Sequence, residues 1–194
     1  PSHKILRSIL KKLNFPLAMP SANMSSKLSP VKAEDVAEEF EKKIKFILNG
    51  GKSRIGIEST VIDLTNKPKI IRPGIIGSSL INKIFKISIS AENRKMKINS
   101  PGLLKKHYSP GIPVIINQKK SNKNHAFITF GKKYKNNFNY FNLSKSSNLK
   151  EAASNLYSTL RKIKRLGFKK IYVAQIPNKG IGVAINDRLK RAAQ

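Results

Sequence analysis

The sequence predicts an α/β chain in two units, the second a small unit with parallel strands. Three observations predict it. Short β-branched runs alternate with amphipathic helical stretches along the chain. A basic stretch punctuated by Pro and Gly interrupts that rhythm over residues 91–113. Beyond Tyr140 the order strand, helix, strand, helix resumes, which is the pattern of parallel pairing.

The first unit begins with an amphipathic helix after Pro1-Ser2-His3-Lys4. Phe15-Pro16-Leu17-Ala18-Met19 is a short apolar run bounded by Pro20 and reads as a buried strand. Ser21-Ala22-Asn23 follows at its end, where compact donors and acceptors meet a small residue that admits a ligand. After Ser29-Pro30, a helix is predicted over Ala33–Phe40, with Val36, Ala37 and Phe40 on one face. Glu34 and Asp35 suit its positive N-terminal end. A second apolar run, 44–48, stops at the turn signal Asn49-Gly50-Gly51.

Gly56-Ile57-Glu58-Ser59-Thr60 leads into the β-branched strand Val61-Ile62-Asp63. The glycine permits close backbone approach to a ligand or an unusual dihedral. Lys69-Ile70-Ile71-Arg72 is a strand ending in one arginine before the turn Pro73-Gly74. A guanidinium fixed there suits a phosphate, because it is always charged and binds oxygens in pairs. A helix over Ser78–Phe85 closes the unit.

Residues 91–100 are polar and basic and read as a linker, and 100–113 as a loop rich in Pro and Gly. Strands follow at 114–116, 126–130 and 140–143. Residues 149–166 form a helix with Ala152, Ala153, Leu156, Leu160 and Ile163 on one stripe and Gly167 as its stop. A strand at 171–174 and a helix over Gly182–Ala192 complete the chain. The Lys- and Asn-rich stretch 121–139 is expected to be the loosest.

The composition narrows the function classes. With no cysteine in 194 residues, disulfides and thiolate zinc sites are excluded. The three histidines, His3, His107 and His125, are too scattered for a histidine metal cluster. No run approaches the ~20 apolar residues of a membrane span, and no secretory h-region follows the first residues. A cytoplasmic location without membrane partners is the expectation. The net charge of +29 suggests a polyanion, yet the lysines are dispersed and no RNA-binding signature accompanies them. Three near-motifs fail. Gly51-Lys52-Ser53 has Phe46 where a P-loop needs its leading glycine. Gly180-Ile181-Gly182 lacks a third glycine, and residues 56–60 do not match a nucleophile elbow.

Taken in order, PLAMPSAN, SPVKAEDVAEEF, NGG, GIESTVID, IIRPG and SPGLLKKHYSP place short polar signatures at the ends of apolar runs, as in a nucleotide pocket built from strand ends and loops. Their order and wording resemble the threonylcarbamoyl-adenylate synthase family in its two-domain form. The resemblance implies the C-terminal half of a YrdC-like twisted mixed sheet with helices, plus a small Rossmann-like α/β domain. The implied division is 1–90 catalytic, 91–112 linker and lid, and 113–194 C-terminal domain. Family members begin with half a catalytic domain bearing a Lys/Arg motif and a threonine-contacting arginine near a proline, and Pro1 resembles that proline. The chain is therefore expected to be a C-terminal fragment, inactive alone.

Residue by residue, the resemblance implies that Ser21 and Ser59 contact threonine, and that Asn23 and Arg72 contact ATP, with Arg72 near the phosphates. Tyr108 or His107 would touch the nucleotide from a segment folded over the site. The implied reaction makes L-threonylcarbamoyladenylate from L-threonine, bicarbonate and ATP with Mg²⁺, for a separate transferase that modifies tRNA. Weak RNA binding is expected besides. Two departures stand out: Val31 where the family has Thr, and Ser25-Ser26 where Ser-Gly is common. The alternative is a basic double-stranded-RNA or tRNA-binding module of the same fold without catalysis.

Overall fold

Helix α1 (Lys4–Leu10) starts at His3, whose ring accepts a hydrogen bond from Leu6 N, and it buries none of its residues. Helix α2 (Ala33–Phe40) covers the predicted span, and the buried Asp35 accepts from Val31 N at 3.0 Å, pinning the chain at the helix entrance. Strands β1 (Val61–Asp63) and β2 (Lys69–Arg72) pair antiparallel with Ile62 opposite Ile70. Helix α3 (Ser78–Phe85) lays Ile81 against Ile70 and Ile62. The computed structural model describes residues 1–86 and 107–194.

The strand expected at 15–19 is not formed. Phe15 and Met19 are 55% and 54% exposed. A strand exists only through a ladder partner, and no described residue pairs with this run. The run at 44–48 likewise leaves Phe46 exposed. Of the mixed sheet, the described residues of the first unit form the β1–β2 hairpin.

The second unit follows its pattern closely. Strands β3 (Val114–Ile115), β4 (Ala126–Thr129), β5 (Tyr140–Asn142) and β6 (Ile171–Val173) form one parallel sheet in the order β3-β6-β4-β5. Every residue of β4 is buried, as in a parallel sheet covered on both faces. Helix α4 (Leu149–Arg165) is capped by Asn148, whose side chain accepts from Lys150 N and Glu151 N. Its buried stripe is the predicted one with Tyr157 added. Helix α5 (Gly182–Ala192) ends the chain's regular structure. The stretch 121–139 is tied at its two ends rather than loose: Asn139 Nδ2 donates to the carbonyls of Asn122 and His125 at 2.8 and 2.7 Å. Most of the expected linker, with Lys105 and Lys106, lies outside the described residues.

The two units are welded where the site lies. Leu28, Val31 and Tyr108 belong to the same buried cluster as Leu156, Tyr157 and Leu160 of α4. Around it, α2 and α4 exchange charges: Arg161 reaches Glu39 at 2.9 Å and the Leu28 carbonyl at 2.6 Å, and Arg165 reaches Asp35 at 3.3 Å and also Glu38. Gly56 sits at φ +76°, and a Cβ there would stand 2.7 Å from Ser154 Cα. The unusual dihedral expected of Gly56 is present, and what approaches it is α4.

Candidate functional site

The segment leading into β1 carries the site. Gly56 seats it on α4, and Gly74 holds its other side. A Cβ on Gly74 would lie 2.6 Å from Ser59 C and 2.8 Å from Glu58 O. The Pro73-Gly74 turn can therefore press directly on the backbone of residues 58–60. That contact brings Arg72 to Ser59: its Nε donates to the Ser59 carbonyl at 3.1 Å and its Nη2 to the Ser59 hydroxyl at 3.3 Å.

Glu58 occupies the centre. Its carboxylate accepts from Ser29 Oγ at 2.6 Å, from Tyr157 OH at 3.0 and 3.1 Å, and from Arg188 Nε at 2.8 Å. Burial pushes this carboxyl up, but Arg188 and the Ser29 hydroxyl outweigh it and hold it below the ordinary carboxylate value. Burial and the Glu58 charge push the Tyr157 phenol well up, so it stays protonated and donates. Asn23 is linked through Ser29, whose Oγ lies 3.4 Å from Asn23 Oδ1. Asn23 Nδ2 itself donates to the Met24 carbonyl at 2.9 Å.

His107 and Tyr108 form the opposite wall. They are sewn between the units: His107 N donates to the Arg191 carbonyl at 3.4 Å and Ser109 N to the Ser26 carbonyl at 3.0 Å. Tyr108 adopts φ +60°, a left-handed conformation that a bulky residue holds only when its surroundings over-determine it. Those surroundings are explicit. Its ring stacks on Tyr157 at 5.9 Å, meets His107 edge-on at 4.1 Å and lies under the Arg188 guanidinium at 5.0 Å. Burial lowers the His107 pKa, and Arg191, Arg188 and Arg72 add to that effect against Glu58. His107 Nδ1, Tyr108 OH and Arg188 Nη2 are buried without a hydrogen-bond partner among the described residues.

Of the residues singled out in the sequence, Ser59 and Arg72 meet directly. Asn23 is two hydrogen bonds away through Ser29 and Glu58. Ser21 stands apart: it is exposed, and its bond is a backbone turn in which Asn23 N donates to its carbonyl. Glu58, Tyr157 and Arg188 were not anticipated. The sequence carried one signal for Arg188. It falls among Ala184, Ile185, Leu189 and Ala192, the buried stripe of α5, and a charge in an apolar stripe needs a buried partner. No group of three or more His, Asp or Glu side chains among the described residues could hold a metal ion.

With this geometry in place, the comparisons with known proteins are specific. The family model "Threonylcarbamoyl-AMP synthase, C-terminal domain" matches residues 75–194, and the model "Telomere recombination" matches residues 1–74. A threonylcarbamoyl-AMP synthase of Pyrococcus abyssi is 32% identical over 215 residues, covering 100% of this chain and 62% of its own length. Its counterpart in Bacillus subtilis is 29% identical, covering 100% of this chain and 61% of its own length. The chain thus spans about three-fifths of the length of these two relatives. The crystal structure of P. abyssi Sua5 complexed with L-threonine superposes with a TM-score of 0.82 at 32% identity, covering 100% of this chain and 62% of that one. A P. abyssi Sua5 variant with an adjacent histidine and tyrosine replaced by alanine superposes with a TM-score of 0.80 at 32% identity, covering 100% and 61%. The chain therefore belongs to the threonylcarbamoyl-AMP synthase family, through the family's C-terminal domain.

Proposed function

We propose that this chain serves in the synthesis of L-threonylcarbamoyladenylate from L-threonine, bicarbonate and ATP, in the manner of the relatives' names. The observation that carries this reading is the Arg72–Ser59 pair, set at a strand end against the Glu58, His107 and Tyr108 cluster. In the proposed reaction the threonine amine takes up bicarbonate as a carbamate, with loss of water. The carbamate oxygen attacks the α-phosphorus of ATP, the bond to the β-phosphate breaks, and pyrophosphate leaves. Ser59 and Ser21 would orient threonine, with Ser59 locked in place by Arg72. Arg72, Asn23, His107 and Tyr108 would hold the nucleotide. Catalysis of this kind is mainly positioning and neutralisation of phosphate charge.

Magnesium would enter only as part of the Mg–ATP substrate. The described side chains offer it no cluster of their own, and no step is assigned to it. The division into 1–90, 91–112 and 113–194 is proposed on the same footing. So are a downstream transferase acting on tRNA, a cytoplasmic location, and an RNA affinity that is weak and purely electrostatic. No helix among the described residues is long and apolar enough to cross a membrane. Phe15, Leu17, Met19 and Phe46 are exposed on the first unit, and we propose that further polypeptide covers them in the active enzyme. The test is pyrophosphate release that depends on threonine, bicarbonate and ATP together. It is measured in a chimera in which the leading portion of the P. abyssi relative precedes this chain. Absence of that release from a folded chimera refutes the reading.

A further inference from the structure

Three features of Arg188 go beyond an ordinary interdomain ion pair. Its side chain is 1% exposed, on the last helix of the second unit. Its guanidinium serves two partners of the candidate site at once. Nε donates to Glu58, the residue next to Ser59, and the guanidinium carbon lies over the ring of Tyr108 at 5.0 Å. Nη1 is anchored by Asp187 at 2.7 Å, and Asp187 is itself braced by Arg191 Nε at 3.2 Å. Nη2 is left buried without a partner among the described residues, as are Tyr108 OH and His107 Nδ1. Tyr108 holds its left-handed backbone with its ring gripped, by Tyr157 on one contact and Arg188 on another.

We propose that Arg188 is a positioning residue: from α5 it fixes Glu58 and the Tyr108 ring in one arrangement, and so sets the His107 and Tyr108 edge of the candidate site for a nucleotide. The inference rests on the nucleotide reading of that site. The grip needs a planar fork, with one edge for a carboxylate and one face for an aromatic ring. A lysine ammonium supplies charge but neither the second edge nor the face. The second unit thereby acts on the candidate site through Glu58 and Tyr108.

The test is ¹⁹F NMR of the chain with its tyrosines replaced by 3-fluorotyrosine. There are five tyrosines, and the Tyr108 signal is assigned with Tyr108→Phe. Wild type, Arg188→Lys, Arg188→Gln and the exposed control Lys190→Gln are compared, free and titrated with ATP, with melting temperatures recorded for each. The expected result has two parts. The Tyr108 signal moves in both free Arg188 variants and stays in place in Lys190→Gln. ATP half-saturation rises at least tenfold in Arg188→Gln and less in Arg188→Lys. Should Arg188→Gln not fold, Arg188→Lys carries the comparison. An unmoved Tyr108 signal, or a moved signal with ATP affinity unchanged within twofold, overturns the proposal, since the residue would then be a structural pair. If ATP moves no tyrosine signal in wild type, this chain alone does not take up the nucleotide, and pyrophosphate release by the chimera decides the nucleotide reading separately. The free-chain signal then decides alone whether Arg188 positions that ring.

Discussion

Glu58 and Arg188 lie 130 residues apart in sequence and 2.8 Å apart in the fold. The pair joins the segment that carries Ser59 to the last helix of the chain. Both ends are largely enclosed, and the carboxylate takes further hydrogen bonds from Ser29 and Tyr157. Removing one member leaves the other charge buried. Glu58→Gln is expected to destabilise the chain by on the order of 3–5 kcal/mol, the usual cost of breaking a buried pair from one side. Urea denaturation at pH 7 measures it. A change below 1 kcal/mol would show that Asp187 alone compensates the Arg188 charge.

The same pair predicts an acid sensitivity. The folded Glu58 value is lowered from 4.5, so its contribution is complete above 4.5 and is lost as pH falls through the folded value. His107 acts with the same sign, because burial lowers its folded value from 6.5. Its share is complete above 6.5 and fades below it. Wild-type stability should thus decline from slightly acid pH downward. Glu58→Gln should lack the part of the decline that lies below 4.5. Parallel stability–pH curves for the two proteins would contradict this assignment.

Arg72→Ala should cost the chimera's activity far more than Lys69→Ala. Arg72 holds the Ser59 carbonyl and hydroxyl, whereas Lys69 faces Asp63 at 3.5 Å on the hairpin. Loss of a charged phosphate contact is expected to remove about 2–4 kcal/mol of transition-state stabilisation, and a hairpin pair less than about 1 kcal/mol of stability. Steady-state kinetics of pyrophosphate release compares them. Equal rates would remove Arg72 from the site.

Gly74→Ala should impair the site while sparing the second unit. The added Cβ would collide with the backbone of residues 58–60, including Thr60 N, and backbone cannot swing aside as a side-chain tip can. Amide spectra should show changes at residues 56–74 and leave β3 to β6 in place. An unperturbed Ser59 amide would mean that the turn does not brace the site.

RNA binding is expected to be electrostatic and indifferent to sequence, because 39 basic residues against 10 acidic ones are spread along the whole chain. Affinity for tRNA and for an unrelated RNA of equal length should be similar and fall steeply with salt, as counterions are released from each neutralised phosphate. Filter binding at two salt concentrations checks this. A preference for one RNA retained at about 150 mM salt, where charges are screened beyond ~8 Å, would point to a dedicated RNA site.

Helices were legible because their information is local. Apolar spacing with Glu34 and Asp35 at the start marked Ala33–Phe40, helices were also expected over Ser78–Phe85 and Gly182–Ala192, and the structure forms helices over all three. The parallel sheet was legible from the order of its elements, since a strand–helix–strand repeat leaves few other ways to pair. The run 15–19 was misread because strand formation is decided by a partner elsewhere, which no local pattern reveals. The site divides in the same way. Ser59 and Arg72 were marked by their places at strand ends. Glu58, next to Ser59, carried no such mark, because its meaning depends on Arg188 and Tyr157 across the fold. Only the charge of Arg188 within the stripe of α5 hinted at that contact.

We propose that the site around Ser59, Arg72 and Tyr108 serves in making an adenylate from threonine and ATP. The most direct measurement is mass-spectrometric detection of threonylcarbamoyl-AMP formed by the chimera, with threonine, bicarbonate and ATP each omitted in turn. Product is expected only when all three are present, with loss of at least about thirtyfold in initial rate with Arg72→Ala, the lower end of the effect expected for one charged contact to the reacting phosphate. Product formation unaffected by Arg72→Ala, or a folded chimera that makes none, would contradict it.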